Sequence, residues 1–127
     1  DVYKRQIPAV LMSALAWISY GVFPLLNKPV MITGASYGTL GSSRAQLQLR
    51  QILNAPEIKA NVLPDEFLLS HSLQAFDQNG DLVDLDVIKK LDAIFDDFRI
   101  FVKVTEKLRN AQELLRKDAE DFDWENL

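Results

Sequence analysis

The chain has 127 residues, 48% hydrophobic and 25% charged, which is enough for one domain around one core and too few for two. A net charge of -4 argues against a nucleic-acid partner, which would meet a basic face. The absence of cysteine excludes disulfides, thiol catalysis and cysteine-ligated metal, and fits a reducing, cytoplasmic setting.

The first six residues read as a non-native junction rather than as part of the fold, so the domain is expected to start at residue 7. From there Ile7, Val10, Leu11, Ala14, Leu15, Trp17 and Ile18 recur at helical spacing, with Pro8 suited to a first helical position. The apolar stretch 7–26 is broken by Ser13, Ser19, Gly21 and Pro24. It therefore reads as a buried helix plus a loop, not as a membrane span or a cleaved leader. Residues 30–33, apolar and β-branched, predict a strand buried on both faces. A glycine-bearing loop, 34–41, leads to a helix capped by Ser42 or Ser43, with Ala45, Leu49, Ile52 and Leu53 on its apolar face. Residues 60–63 and 67–69 read as strand pieces around Pro64, and residues 77–80 as a turn. A long helical pattern starts near Asp84 and can continue through Leu108, Leu114 and Leu115, with the β-branched run 100–105 leaving room for a break. Trp17 and the phenylalanines at helical spacing are expected in the core, and residues 118–127 as a loose acidic tail. Alternation of helix and apolar strand predicts an α/β domain with a parallel sheet.

The loop after the first strand carries the chemistry. Ligands of open α/β sheets bind at the carboxyl ends of strands, and glycines there let the backbone approach a planar group. Ser36 offers a hydroxyl and Tyr37 a flat surface. On local spacing alone the loop fits equally a strand-to-helix turn with no ligand.

Residues 33–36, Thr-Gly-Ala-Ser, match the start of a short-chain dehydrogenase cofactor loop, but the third glycine of that pattern falls on Leu40. Its Tyr-x-x-x-Lys pair is also missing, since Tyr3, Tyr20 and Tyr37 are followed at that spacing by Ile7, Pro24 and Gly41. A second resemblance covers more of the chain. Residues 7–17, Lys28-Pro29-Val30, the loop 34–41, the block 44–53 (RAQLQLRQIL), Val62-Leu63-Pro64 and Ala75-Phe76-Asp77 resemble the NADPH-dependent FMN reductase family, in order and with small gaps. That resemblance implies a flavodoxin-like, three-layer α/β fold whose N-terminal strands are missing from this fragment, on the order of 60–80 residues. The domain would then span 7–117. It further implies FMN and NAD(P)H as cofactors, with Ala35, Ser36, Tyr37, Gly38, Thr39 and Gly41 holding the flavin ring. The protein would be a homodimer or homotetramer passing electrons to free flavin, quinone, azo or similar acceptors. A non-catalytic association module on the same fold is the alternative.

Other signals carry less. Asp77, Asn79 and Asp81 begin like a calcium loop, but Leu82 and Ile88 stand where its glycine and bidentate carboxylate belong. His71, the single histidine, has no second ligand of its kind. Arg44, Gln46 and Arg50 read either as a solvated helix face or, by the family resemblance, as lying near a subunit interface.

Overall fold

The computed structural model of the chain describes residues 5–120. The order is α1 (Ala9–Ile18), β1 (Pro29–Val30), β2 (Thr33–Ala35), α2 (Ser43–Leu53), β3 (Asn61–Val62), β4 (Phe67–Leu69), a 3-10 turn at Ser72–Gln74, and α3 (Leu85–Glu120). Pro8 takes the cap position of α1 with extended backbone (ψ 138°) rather than the first helical one.

Parallel pairing is observed as expected, but the strand predicted over 30–33 is split in two. β1 pairs with β3 through Pro29↔Asn61 and Val30↔Val62, and β2 pairs with β4 from Thr33↔Phe67 to Ala35↔Leu69. Between the two ladders lie residues 31–32 on one chain segment and residues 63–66 on the other, so the second strand carries two extra residues. Pro64 sits in that bulge. It has no N–H to give to a ladder, and sheets confine proline to edges and bulges for that reason.

Two apolar layers flank the strands. Leu15, Ile32, Leu53, Ile58 and Ala60 are buried between the strands and the α1/α2 side, while Leu63, Phe67, Leu69 and Ile94 are buried against α3. Adjacent Met31 and Ile32 belong to opposite clusters, the period-2 alternation of extended chain. The core is thus shared by both faces of the strands, as three layers require.

One open alternative is decided and two expectations need correction. First, α3 continues without a break through residues 100–105. β-branched residues cost only a few tenths of a kcal/mol each in a helix, and Phe98 and Phe101 pack on the β4 side of the core with Thr105 buried beyond them. The same helix includes residues 118–120, and the remainder of the predicted tail, 121–127, lies outside the described residues, as do residues 1–4 of the expected junction. Second, Trp17 is 80% exposed and Phe95 53%, so neither is core. Third, Gln46 is buried, and Arg50 is tied to backbone rather than standing in solvent.

The would-be calcium loop is an Asx turn, in which Asp77 Oδ1 accepts from the amides of Asn79 and Asp81 at 2.8 and 3.0 Å. Asp96 and Arg99 meet at 3.7 Å on the solvated side of α3, a surface pair of little energetic weight. Among the described residues no helix is long and apolar enough to cross a membrane.

Candidate functional site

The segment between β2 and α2 is stitched to the segment after β4. The Ser36 amide donates to Leu69 O at 2.9 Å, extending the ladder by one bond. The amides of His71 and Ser72 donate to the carbonyls of Gly38 and Ser36 at 3.1 and 3.0 Å. Ser70 Oγ donates to Thr39 O at 2.6 Å. The loop's carbonyls are thus turned toward the 69–72 segment. Its amides are not consumed in return: those of Tyr37, Gly38, Thr39 and Leu40 have no protein acceptor among the described residues.

The three glycines of the loop do different work. At Gly34 a Cβ would collide with Ser42 Oγ and come within 2.9 Å of Gln46 Nε2, so its lack of a side chain lets β2 pack against the start of α2. Gly41 has φ +56° and would place a Cβ 2.8 Å from the Leu68 backbone, so both conformation and close approach demand glycine. Around Gly38 nothing lies within 4 Å of an added Cβ.

On the open side of the loop is a pocket of about 320 Å³. Its wall includes Ala35, Ser36, Tyr37, Gly38 and Thr39, five of the six residues singled out in the sequence. Gly41 is not among the lining residues, being buried against β4. The wall also includes Arg5 and Gln6, two of the residues read in the sequence as a junction, together with Leu40 and the start of α2 at Ser42, Ser43, Arg44 and Ala45. Residues just before one helix and at the start of the next face the same strand ends. The hydroxyl of Ser36 donates within the loop, to Gly38 O at 3.3 Å. Ser42 occupies the cap position of α2 with φ +73° but makes no side-chain cap; its Oγ instead accepts from Gln46 Nε2 at 3.2 Å. Arg5 and Arg44, both exposed, are cations on the wall. His71 contributes its backbone only, and no cluster of metal-ligating side chains is found among the described residues.

A loop of this shape between a strand end and a helix is common to several fold families, so family membership needs comparison across the chain. The family model for NADPH-dependent FMN reductases matches residues 1–74, which covers α1 through the 3-10 turn and the whole pocket wall. The chain belongs to that family. Its flavodoxin-like α/β fold accounts for the short parallel strands and the layered helices.

Relatives extend the similarity into α3. The chain is 48% identical over 124 residues to the NADH:(hydroxy)cinnamate reductase subunit CrdA of Vibrio ruber, covering 97% of this chain and 61% of the relative. It is 41% identical over 111 residues to the NADH-dependent flavin reductase subunit 2 of Lactobacillus johnsonii, covering 83% and 60%. A 2-hydroxy-1,4-benzoquinone reductase from a Burkholderia species is 33% identical over 103 residues, covering 80% and 56%. The chain therefore spans about three-fifths of the length of these relatives.

The residues present fit the family's cofactor, FMN. Unused amides at residues 37–40 can face the polar edge of a flat ring, and the clear space at Gly38 lets that ring approach the backbone. Ser70→Ala should remove the bond that fixes Thr39 O, at a cost of about 1 kcal/mol. Chemical denaturation of the variant would show it as a lower midpoint at unchanged slope.

Proposed function

We propose that the protein is an FMN-dependent NAD(P)H oxidoreductase that passes electrons to a small-molecule acceptor such as free flavin, a quinone or an azo compound. The observation that carries this reading is the row of free amides at residues 37–40 on the wall of a pocket at the strand ends, in a chain of the FMN reductase family. Bound FMN supplies hydride acceptance from the nicotinamide and electron delivery to the acceptor.

The chain's own contribution is positional and electrostatic. The amides of Tyr37, Gly38, Thr39 and Leu40 stand ready as donors where negative charge develops, with no reorganisation needed. Ala35 and Gly38 form a low wall that admits a planar group, and Tyr37, half exposed, is the flat side chain beside it. Gly41 supports the loop from behind. Arg44 adds positive charge that suits an anionic nucleotide or acceptor. No residue is required as a nucleophile or as a general acid.

The relatives' names support subunit association, since two of them are named as subunits. We place the protein in the cytoplasm as a homodimer or homotetramer. The second reading is an association module on the same fold without catalysis.

Titrating the full-length protein with FMN separates the two. A bound-flavin absorption spectrum that bleaches on adding NADH or NADPH is the expected result. A full-length protein that binds no flavin would reduce the loop to a structural turn and favour the association module.

A further inference from the structure

We propose that Gln46 and Arg50 act as a two-residue latch that positions the pocket loop. The two side chains lie at i and i+4 on α2 and so project from the same face. Both reach to the second strand segment. Arg50 Nη1 donates to Leu63 O at 2.8 Å and Nη2 to Asp65 O at 2.9 Å. Gln46 Nε2 donates to Phe67 O at 2.8 Å. The carbonyls captured belong to residues 63, 65 and 67, alternate positions of one segment, and they run through the bulge at Pro64. Two of the three lie between the ladders, where no strand neighbour is paired with them.

The latch acts on the loop through β4. Phe67 opens that strand, whose register with β2 sets Ala35 opposite Leu69. Residues 69–72 then hold the loop through Leu69 O, Ser70 Oγ and the amides of His71 and Ser72. Without an anchor, the two extra residues in 63–66 leave the entry to β4 free to shift along its partner. Arg50 fixes the bulge with a planar fork, a geometry that lysine cannot copy. Gln46 is 3% exposed, and its Oε1 is buried without a partner. Its orientation is nevertheless determined, because reversing the amide would set Oε1 against Phe67 O. The same Nε2 reaches Ser42 Oγ at 3.2 Å, so the latch ties β4 to the α2 end of the pocket wall as well. Gln46 and Arg50 are positioning residues and do not touch the pocket themselves.

The ligand readout rests on the proposed FMN function, and the structural readout does not. In the full-length protein, Arg50→Met keeps the aliphatic stem and removes both donors. Hydrogen exchange at the amides of Ser36, His71 and Ser72 should speed up at least tenfold, while amides in the middle of α3 keep their protection. FMN affinity should fall by about tenfold, and the visible circular dichroism of bound flavin should change. Arg50→Lys, with one donor position for two carbonyls, should restore part of both effects, and it carries the test if the methionine variant does not fold. Unchanged exchange at those three amides in the folded variant would overturn the latch. If the wild-type protein binds no FMN, the flavin reading fails alone, and the exchange result still decides the latch.

Discussion

Gly38→Val is expected to weaken FMN binding by tenfold or more, about 1.4 kcal/mol, while leaving the melting temperature unchanged. The reason is the clear space around this glycine, where an added Cβ meets nothing within 4 Å. Its backbone also lies outside the left-handed region, so a branched side chain brings no conformational penalty of that kind. A valine there would be neutral to the fold and would stand in the pocket, between the free amides and any flat ligand. Isothermal titration alongside thermal melting separates the two effects. Unchanged affinity would count against the loop as a flavin site, whatever the activity of the protein.

The opposite pattern is expected at Gly41. Its φ of +56° costs about 1–2 kcal/mol for a residue with a Cβ. The Cβ itself would lie 2.8 Å from both the backbone carbonyl carbon and the Cβ of Leu68, and overpacking of this kind typically costs about 1–3 kcal/mol. Gly41→Val should therefore lose roughly 2–5 kcal/mol, a large part of the roughly 5–15 kcal/mol typical of a domain. Urea denaturation measures this directly. A variant as stable as the parent would mean that Leu68 gives way easily, although Phe67 and Leu69 on either side of it are buried in the core.

These two glycines show where the sequence was readable and where it was not. A glycine-rich loop between an apolar run and a capped helix is visible in the letters, and so is the parallel α/β order. Which glycine is for packing, which for clearance and which for a left-handed turn is not visible, because all three are the same letter. Gln46 and Arg50 read as polar helix surface or as lying near a subunit interface for a similar reason. The two carbonyls that take Arg50 lie in the bulge where Pro64 breaks the ladder, and the one that takes Gln46 opens β4, so all three belong to the strands and not to the helix. Trp17 illustrates the converse. With no charged residue from Ile7 to Asn27, α1 is apolar on every side, and periodicity cannot choose the buried face. Leu15 is buried while Val10 is 83% exposed. In α3 the β-branched run left a break and a continuous helix both open, and its intrinsic penalty is small beside the packing of Phe98 and Phe101.

The hydrogen bonds that hold residues 36–39 to residues 69–72 also bear on the thermodynamics of ligand capture. Ordering a residue's backbone costs about 1–2 kcal/mol in conformational entropy. For this loop that entropy is lost when β4 docks beside β2, before any ligand arrives. A planar ligand then meets donors already aimed, and its affinity is not reduced by the need to freeze a mobile segment. The free energy of binding can reside in the contacts themselves, and the selectivity of the site becomes a matter of shape more than of induced order.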